Sequence, residues 1–242
     1  MILVDSLIYK IDQKLNKLSS NEHQQIQLED KILALNEAQL KLLKQKVDGI
    51  STSGARGVSL KKRYEDLQSL IEYYNHQPLK LTLINKELNQ WSANVHKLLP
   101  KYMFYIDSYI LANKGRCKDR IIWINRDLAK QGDTQFILNN VNYKPSFEYQ
   151  ETFNFLSSDE ISVFTDGTFT PSKIYIMYMR YPSYIDKEGY IHLDGTESVN
   201  ADCELETYLE DELLDIAVQS LAIYTENQSA VQGAQLRIQT NE

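Results

Sequence analysis

Apolar residues recur at steps of three and four along much of the first half of the chain, and this spacing limits the folds open to it. The first stripe comprises Leu3, Leu7, Ile11, Leu15 and Leu18. In a helix of about 3.6 residues per turn, such positions share one face. The segment therefore predicts an amphipathic helix that packs its apolar stripe against a partner.

Three further segments, 25–47, 60–74 and 81–98, carry the same spacing and predict helices. The stripe of the last segment comprises Leu81, Ile84, Leu88, Trp91, Val95 and Leu98. A shorter aromatic segment, 102–112, ends at a plausible helix stop. The pattern therefore predicts a helical body over residues 1–115.

The middle of the chain is richer in β-branched and aromatic residues, with turn signals between them. Strand-like segments occur at 121–124, 161–165, 168–170, 173–181 and 189–193. Asp166 and Gly167 form a dipeptide that suits a tight hairpin turn between two of these segments. Residues 116–195 are therefore predicted to form a β-rich antiparallel insertion.

The C-terminal part, 196–242, is predicted to be a helical segment that packs on the helical body. Its apolar stripe comprises Leu205, Tyr208, Leu209, Leu213, Ile216, Ala217, Leu221 and Tyr224. Acidic residues crowd the start of this segment, where a helix dipole favours negative charge. The expected fold class is α+β but mainly α: an elongated helical bundle with a β-rich antiparallel insertion and an amphipathic C-terminal helix.

Charge and composition narrow the classes of protein. The formal net charge of −7 argues against a protein whose main task is gripping nucleic acid, since phosphate binding needs clustered Lys and Arg. No apolar run approaches the roughly 20 residues of a membrane-spanning helix. Met1–Tyr9 lacks a basic leader, and the two cysteines suit free thiols better than a disulfide framework. We expect a protein made in the cytoplasm, with no membrane partner.

Motifs for catalysis are absent from the sequence. The glycine-rich loop 48–59 lacks a phosphate-binding pattern, the four histidines lack zinc-site spacing, and no nucleophile elbow occurs. We predict no catalytic residue, no metal site and no cofactor. Two charged groups keep alternatives open. The acidic cluster around 194–212 could bind a divalent metal or be a solvated helix start. The basic residues Lys61, Lys62 and Arg63 could contact DNA phosphates, an acidic partner or only solvent.

The segment 202–218, DCELETYLEDELLDIAV, resembles a C-terminal motif of virion proteins from crAss-like phages and related phages of Bacteroidetes. In those proteins the motif often follows a strand that ends in Arg-Tyr-Pro, and here Arg180, Tyr181 and Pro182 precede it. The segment 123–128, WINRDL, is similar to a patch found upstream in the family. The family pattern carries Pro where this chain has Glu206.

The resemblance implies a non-enzymatic structural virion protein: a subunit of a ring in the head-to-tail connector, or collar, below the portal of a short-tailed phage. Its implied protein partners are identical copies in a cyclic ring of twelve, the portal protein, and other ring or tail proteins. Double-stranded DNA would pass through the lumen without recognition of its sequence. The alternatives are an ejected virion cargo protein and, more remotely, a metal-dependent nuclease.

Within this hypothesis the helical segments 81–98 and 205–224 are predicted to form the ring wall. The insertion near 123–193 is predicted to project toward the next ring or tail component. The candidate subunit-contact residues are Trp91, Leu205, Tyr208, Leu209, Leu213, Ile216 and Tyr224.

Overall fold

A computed structural model describes residues 1–18, 26–48, 66–74, 78–115, 117, 119–124, 134–157, 159–192 and 194–224. The chain forms two compact units. One combines Met1–Ser69 with Pro182–Glu242, and we call it the helical unit. The other, Leu70–Tyr181, is one continuous stretch, and we call it the β unit. The helical unit is thus built from both ends of the chain.

Four helices occur in the described residues: α1 (Val4–Leu18), α2 (Leu28–Asp48), α3 (Thr134–Asn139) and α4 (Glu210–Tyr224). In the helical unit, α4 packs against both α1 and α2. Every residue from 213 to 218 is buried, and only a helix covered on several sides buries six consecutive positions. Leu7 and Ile11 of α1, and Ile32 and Leu35 of α2, are fully buried. The central element of this unit is therefore α4.

The first residues of the chain are fastened beside the start of α4. Ile2 and Cys203 exchange backbone hydrogen bonds of 2.9 and 3.0 Å, and the Val4 amide donates to the Asp202 carboxylate at 2.9 Å. Both cysteines are free thiols, as predicted, with Cys117 exposed and Cys203 buried. Burial raises the pKa of the Cys203 thiol to about 11. This thiol is therefore neutral at physiological pH and packs as a small apolar group.

The β unit contains ten strands in its described residues. They are β1 (Ile71–Glu72), β2 (Leu79–Lys80), β3 (Thr82–Asn85), β4 (Gln90–Asn94), β5 (Tyr102–Asn113), β6 (Arg120–Ile124), β7 (Glu151–Thr152), β8 (Asn154–Leu156), β9 (Glu160–Phe164) and β10 (Thr170–Arg180). A six-stranded sheet has the order β1-β10-β5-β6-β7, with β2 also pairing with β10. A four-stranded sheet has the order β3-β4-β9-β8. All pairs are antiparallel except β6 with β7.

The two sheets share one apolar core. It includes Ile110, Ile122 and Ile174 from the six-stranded sheet and Ala93, Ile161 and Val163 from the four-stranded sheet. A polar link crosses the same interior: the Asn154 side chain donates to the Tyr105 hydroxyl at 2.9 Å and to the Ser108 hydroxyl at 3.3 Å. Because buried polar groups must find partners, this link favours one alignment of the sheets.

The predicted mainly helical fold class is wrong. The protein is mixed, at 35% helix and 32% strand, with ten strands in two sheets and four helices among its described residues. The segment 81–98, predicted as a helix, forms the β3–β4 hairpin and the short 3-10 helix Val95–Lys97. Its turn is fixed by Asn85, whose side chain accepts from the amides of Glu87 and Leu88 at 2.9 and 3.2 Å.

The aromatic segment 102–112 was also predicted as a helix, yet it lies in β5. Buried residues alternate along it at Ile106, Ser108, Ile110 and Ala112, which is the period of a strand. The predicted helix 60–74 falls partly outside the described residues, and its described end contains the 3-10 helix Gln68–Leu70 and β1. The strands predicted at 121–124 and 173–181 are confirmed as β6 and β10.

The predicted hairpin at Asp166 and Gly167 is wrong in its pairing. The turn itself is present, because Gly167 has a φ of +80° and the Asp166 carboxylate accepts from the Thr168 amide at 2.8 Å. However, the turn joins β9 of one sheet to β10 of the other, so the flanking strands do not pair. Residue 193 of the predicted strand 189–193 lies outside the described residues, and 189–192 contain an isolated bridge between Ile191 and Glu197 instead of a strand. The C-terminal helix is confirmed as α4, preceded by the 3-10 helix Thr207–Leu209.

Candidate interaction surface

Most of the residues predicted to contact a neighbouring subunit through the C-terminal helix are internal. The buried ones are Leu205, Leu209, Leu213 and Ile216, each at most 3% exposed. Their side chains stabilise the helical unit itself and cannot reach another subunit in this fold. Trp91 is partly buried against the core of the β unit. The side chain of Tyr224, and all of Lys61, Lys62 and Arg63, lie outside the described residues.

Tyr208 is the predicted contact residue that does reach the surface, with 59% of its area exposed. Its hydroxyl donates to the Asp66 carboxylate at 2.8 Å. Lys46 lies 3.7 Å from that carboxylate and 2.8 Å from the Glu212 carboxylate. The exposed ring of Tyr208 is therefore held in a fixed position beside the start of α4.

The acidic start of α4 is engaged by lysines of α1. Lys10 pairs with Glu210 at 2.7 Å, and Lys14 pairs with the buried Asp215 at 2.6 Å. Within the described parts of the chain, no group of three or more His, Cys, Asp or Glu side chains could hold a metal ion. Lys14 also lies 3.8 Å from the Asp211 carboxylate. The sequence offered a signal for these ion pairs, because Lys10 and Lys14 are spaced one helical turn apart, as are Asp211 and Asp215.

Replacement of Lys14 by Met is expected to lower the free energy of unfolding by about 2 kcal/mol, because it leaves the Asp215 carboxylate buried beside an apolar group. The loss stays below that of a fully buried pair because Lys14 is partly exposed. Urea denaturation of Lys14→Met, Asp215→Leu and the double variant measures the coupling between the two side chains. The double variant should be more stable than Lys14→Met, and purely additive losses would show that the pair does not interact.

One face of the six-stranded sheet carries a row of aromatic side chains. Tyr175, Tyr109 and Trp123 are direct partners across β10, β5 and β6. The two tyrosine rings stack with centroids 4.8 Å apart and planes 11° apart, and Trp123 lies 5.4 Å from Tyr109. Tyr74 joins them, with its ring 5.0 Å from that of Tyr109. We call Tyr74, Tyr109, Trp123 and Tyr175 the aromatic row.

The aromatic row lies on the side of the sheet opposite its apolar core, because the neighbouring positions Ile110, Ile122 and Ile174 point inward. Trp123 is 51% exposed, and Ile121, two residues earlier on the same side of β6, is 45% exposed. Rings that stack on each other lose little freedom when a partner covers them. The row therefore offers a rigid apolar surface that is partly exposed to solvent.

Burial keeps two phenols of the row, those of Tyr74 and Tyr109, uncharged. Burial, together with a 2.7 Å hydrogen bond to the Asp107 carboxylate, raises the pKa of Tyr74. Burial and the neighbouring Tyr175 raise the pKa of Tyr109. The Tyr74 hydroxyl therefore keeps its proton and donates it to Asp107, and neither phenol ionises near neutral pH. The chain has 16 tyrosines, a residue type that serves partly exposed contact surfaces well. The sequence did not show which of them combine, since β5 was predicted to be a helix.

A second polar cluster lies in the helical unit and is centred on Asp186, which is only 4% exposed. Its carboxylate accepts hydrogen bonds from the Tyr190 hydroxyl at 2.6 Å, the His192 ring at 3.0 Å, and the amides of Lys187 and Val199 at 2.8 and 3.0 Å. Burial alone would raise the pKa of Asp186, but these hydrogen bonds outweigh it and hold the pKa below its usual value. With its oxygens satisfied, the cluster fixes the loop that precedes α4.

No protein-family model matches the chain, and no curated protein matches it. None of the described helices combines the length and the apolar character that crossing a membrane requires.

Proposed function

We propose that this chain is a structural virion protein, a subunit of a ring in the head-to-tail connector of a short-tailed phage. The observation that carries the proposal is the aromatic row, a rigid and partly exposed apolar surface on the six-stranded sheet of the β unit. Exposed apolar patches rimmed by polar residues mark protein–protein contact sites, and Tyr and Trp dominate the energetics of such sites. An assembly component needs such a surface.

The finer identity rests on the resemblance of the segment 202–218 to virion proteins of crAss-like phages. In the fold this segment fastens the first residues of the chain through Asp202 and Cys203, and it supplies the first half of α4. The motif therefore builds the core around which the helical unit forms. The family expectation of twelve copies in a ring is carried over with it.

In the proposed assembly, each subunit contacts the next through two different surfaces, since repeated heterologous contacts close into a ring. The aromatic row faces another component of the virion, either the portal protein or the next ring or tail protein. A net charge of −7 per subunit suits a lumen through which double-stranded DNA slides, because carboxylates repel phosphates. No sequence is read from the DNA.

Electron microscopy of the purified chain, alone and with purified portal protein, tests the proposal. Cyclic oligomers are expected, with twelvefold symmetry when the portal is present. An ejected cargo protein has no need of cyclic symmetry. The absence of any cyclic oligomer, both in virions and with the portal, would falsify the connector assignment.

The Trp123→Ala variant tests the role of the aromatic row. We expect at least a tenfold loss of affinity for the portal or neighbouring ring protein, because a central aromatic anchor contributes about 2 kcal/mol or more to a protein interface. The matched control is Phe136→Ala. This residue is 64% exposed and lies on α3, whose Ile137 packs against Phe164 of the other sheet. Equal losses from both variants would contradict a specific role for the row.

A further inference from the structure

Among the residues that the structure describes, β3 and β8 form the two edges of the four-stranded sheet of the β unit. Both edges carry exposed apolar side chains. Leu83 and Ile84 of β3 are 44% and 56% exposed, and Leu156 of β8 is 39% exposed. An edge strand presents a row of unpaired backbone N–H and C=O groups, and an apolar edge favours pairing with another chain. These two edges are therefore the strongest candidates for a subunit contact outside the aromatic row.

The directions of the two edges are complementary. All three pairs in this sheet are antiparallel, so with four strands β3 and β8 run in opposite directions. When copies are arranged head to tail in the same orientation, β3 of one copy meets β8 of the next as an antiparallel pair. The alternation inside the sheet then continues across the subunit boundary without a break.

The faces of the two edges also match. Leu83 is level with Trp91, Val163 and Asn154 along one row across the sheet. Val163 belongs to the apolar core, so this row lies on the core face. Leu156 is two residues beyond Asn154 and therefore lies on the same face. In a head-to-tail sheet, Leu83 and the Leu156 side chain of the next copy come together on one face.

Charges flank the two edges with opposite signs. Lys80, the last residue of β2, precedes β3, and Lys86 follows it. Glu151, the first residue of β7, precedes β8, and Asp159, which pairs with His96 at 2.8 Å, follows it. All four residues are exposed, as is Glu87, which follows Lys86. Since β3 and β8 run in opposite directions and Leu83 is aligned with Asn154 across the sheet, the end of β3 is at the same end of the sheet as the start of β8. Lys86 therefore lies at the same end of the sheet as Glu151, and Lys80 at the same end as Asp159. Two like edges would bring like charges together, whereas β3 against β8 brings opposite charges together.

We propose that β3 of one copy pairs with β8 of the next, so that the four-stranded sheets join into one continuous sheet around the ring. This inference rests on the proposed function, for which it names the subunit contact. The contact is heterologous, because each copy uses two different edges, and this is the type of contact that closes into rings. Backbone hydrogen bonds hold the pair, the leucines cover one face, and the flanking charges set which edges meet.

Two edge variants test the proposal, studied where the wild-type chain forms rings, alone or with the portal. Leu83→Asp puts a carboxylate opposite the acidic β8 edge, and Leu156→Lys puts an ammonium opposite the basic β3 edge. Each alone should abolish rings and leave a monomer in analytical ultracentrifugation. Mixed in equal amounts they should assemble again, because one contact between them joins two unchanged edges and the other brings the introduced carboxylate beside the introduced ammonium. Ile191→Asp, at a 66% exposed position of the helical unit, should assemble normally.

A charge exchange provides a second readout. Lys86→Glu alone should weaken ring formation, because it faces Glu151 of the next copy, and adding Glu151→Lys to the same chain should restore it. Rings that persist in both edge variants would overturn the strand pairing while leaving the connector assignment intact. Dimers of Leu156→Lys by itself would indicate pairing of like β3 edges and also overturn it. A wild-type chain that forms no ring under any condition would instead remove the proposed function.

Discussion

Replacement of Leu213 by Ala is expected to lower the free energy of unfolding by about 2–5 kcal/mol. Leu213 is fully buried within α4, the helix that packs against both α1 and α2. Truncation there removes apolar contacts and leaves a cavity that the two flanking helices cannot easily close. Urea denaturation at neutral pH, monitored by circular dichroism, measures the change as a shift in midpoint at constant slope.

The matched control is Ile223→Ala on the same helix, where the side chain is 59% exposed. Its free energy of unfolding should change by less than about 0.5 kcal/mol. The pair of variants also separates two interpretations of α4. If Leu213 formed a subunit contact, as the sequence had suggested, its truncation would weaken assembly and leave the stability of the monomer unchanged. The fold predicts the reverse.

The terminal helices were predictable because their apolar stripes are buried on one side by other helices. Leu7, Ile11 and Leu15 repeat at helical spacing and are all buried, so pattern and packing agree at these positions. Leu3, which the predicted stripe also included, precedes α1 and is 64% exposed. The same logic identified α4 as an apolar helix with an acidic start. It did not reveal that α4 is covered on several sides, because the covering elements lie far away in the sequence.

The segment 81–98 shows why apolar spacing alone is an ambiguous signal. Ile84 and Leu88 completed an apparent helical stripe, yet both are exposed near the β3–β4 turn. The informative residues were Asn85 and Asn89: the first accepts two hydrogen bonds in the turn, and the second adopts a φ of 49°. Asparagine tolerates such backbone angles better than most residues, and a pair of asparagines favours a turn over a helix interior.

The candidate surfaces were less predictable than the fold. The aromatic row depends on the registers that align Tyr175, Tyr109 and Trp123, and registers between distant strands leave no local mark in a single sequence. The same is true of the edges, because β3 and β8 become edges only once β4 and β9 pair between them. Leu83 lay in a predicted helix and Leu156 in a segment with no predicted structure. Nothing in the sequence indicated that these two leucines lie on opposite edge strands of one sheet.

The Asp186 cluster provides the second large effect. Asp186→Asn is expected to lower the free energy of unfolding by about 3 kcal/mol at pH 7, because the amide nitrogen replaces an oxygen that accepts two hydrogen bonds. The cluster spans the loop before α4, where Lys187 also pairs with Asp5 of α1 at 2.7 Å. Urea denaturation of the wild-type and variant chains measures the difference.

The pH dependence of this difference follows from the lowered pKa of Asp186. A carboxyl group with a depressed folded-state pKa stabilises the fold fully above its unfolded value, here near 3.8, and loses that contribution as pH falls through the folded value. The gap between the wild type and Asp186→Asn should therefore be largest near neutral pH and shrink below about pH 4. Glu188→Gln, which removes an exposed charge in the same loop, should have the same free energy of unfolding as the wild type both near neutral pH and below about pH 4. A gap that instead widened on acidification would mean that Asp186 is protonated in the folded protein, and the hydrogen-bonded carboxylate described above would be the wrong account of this loop.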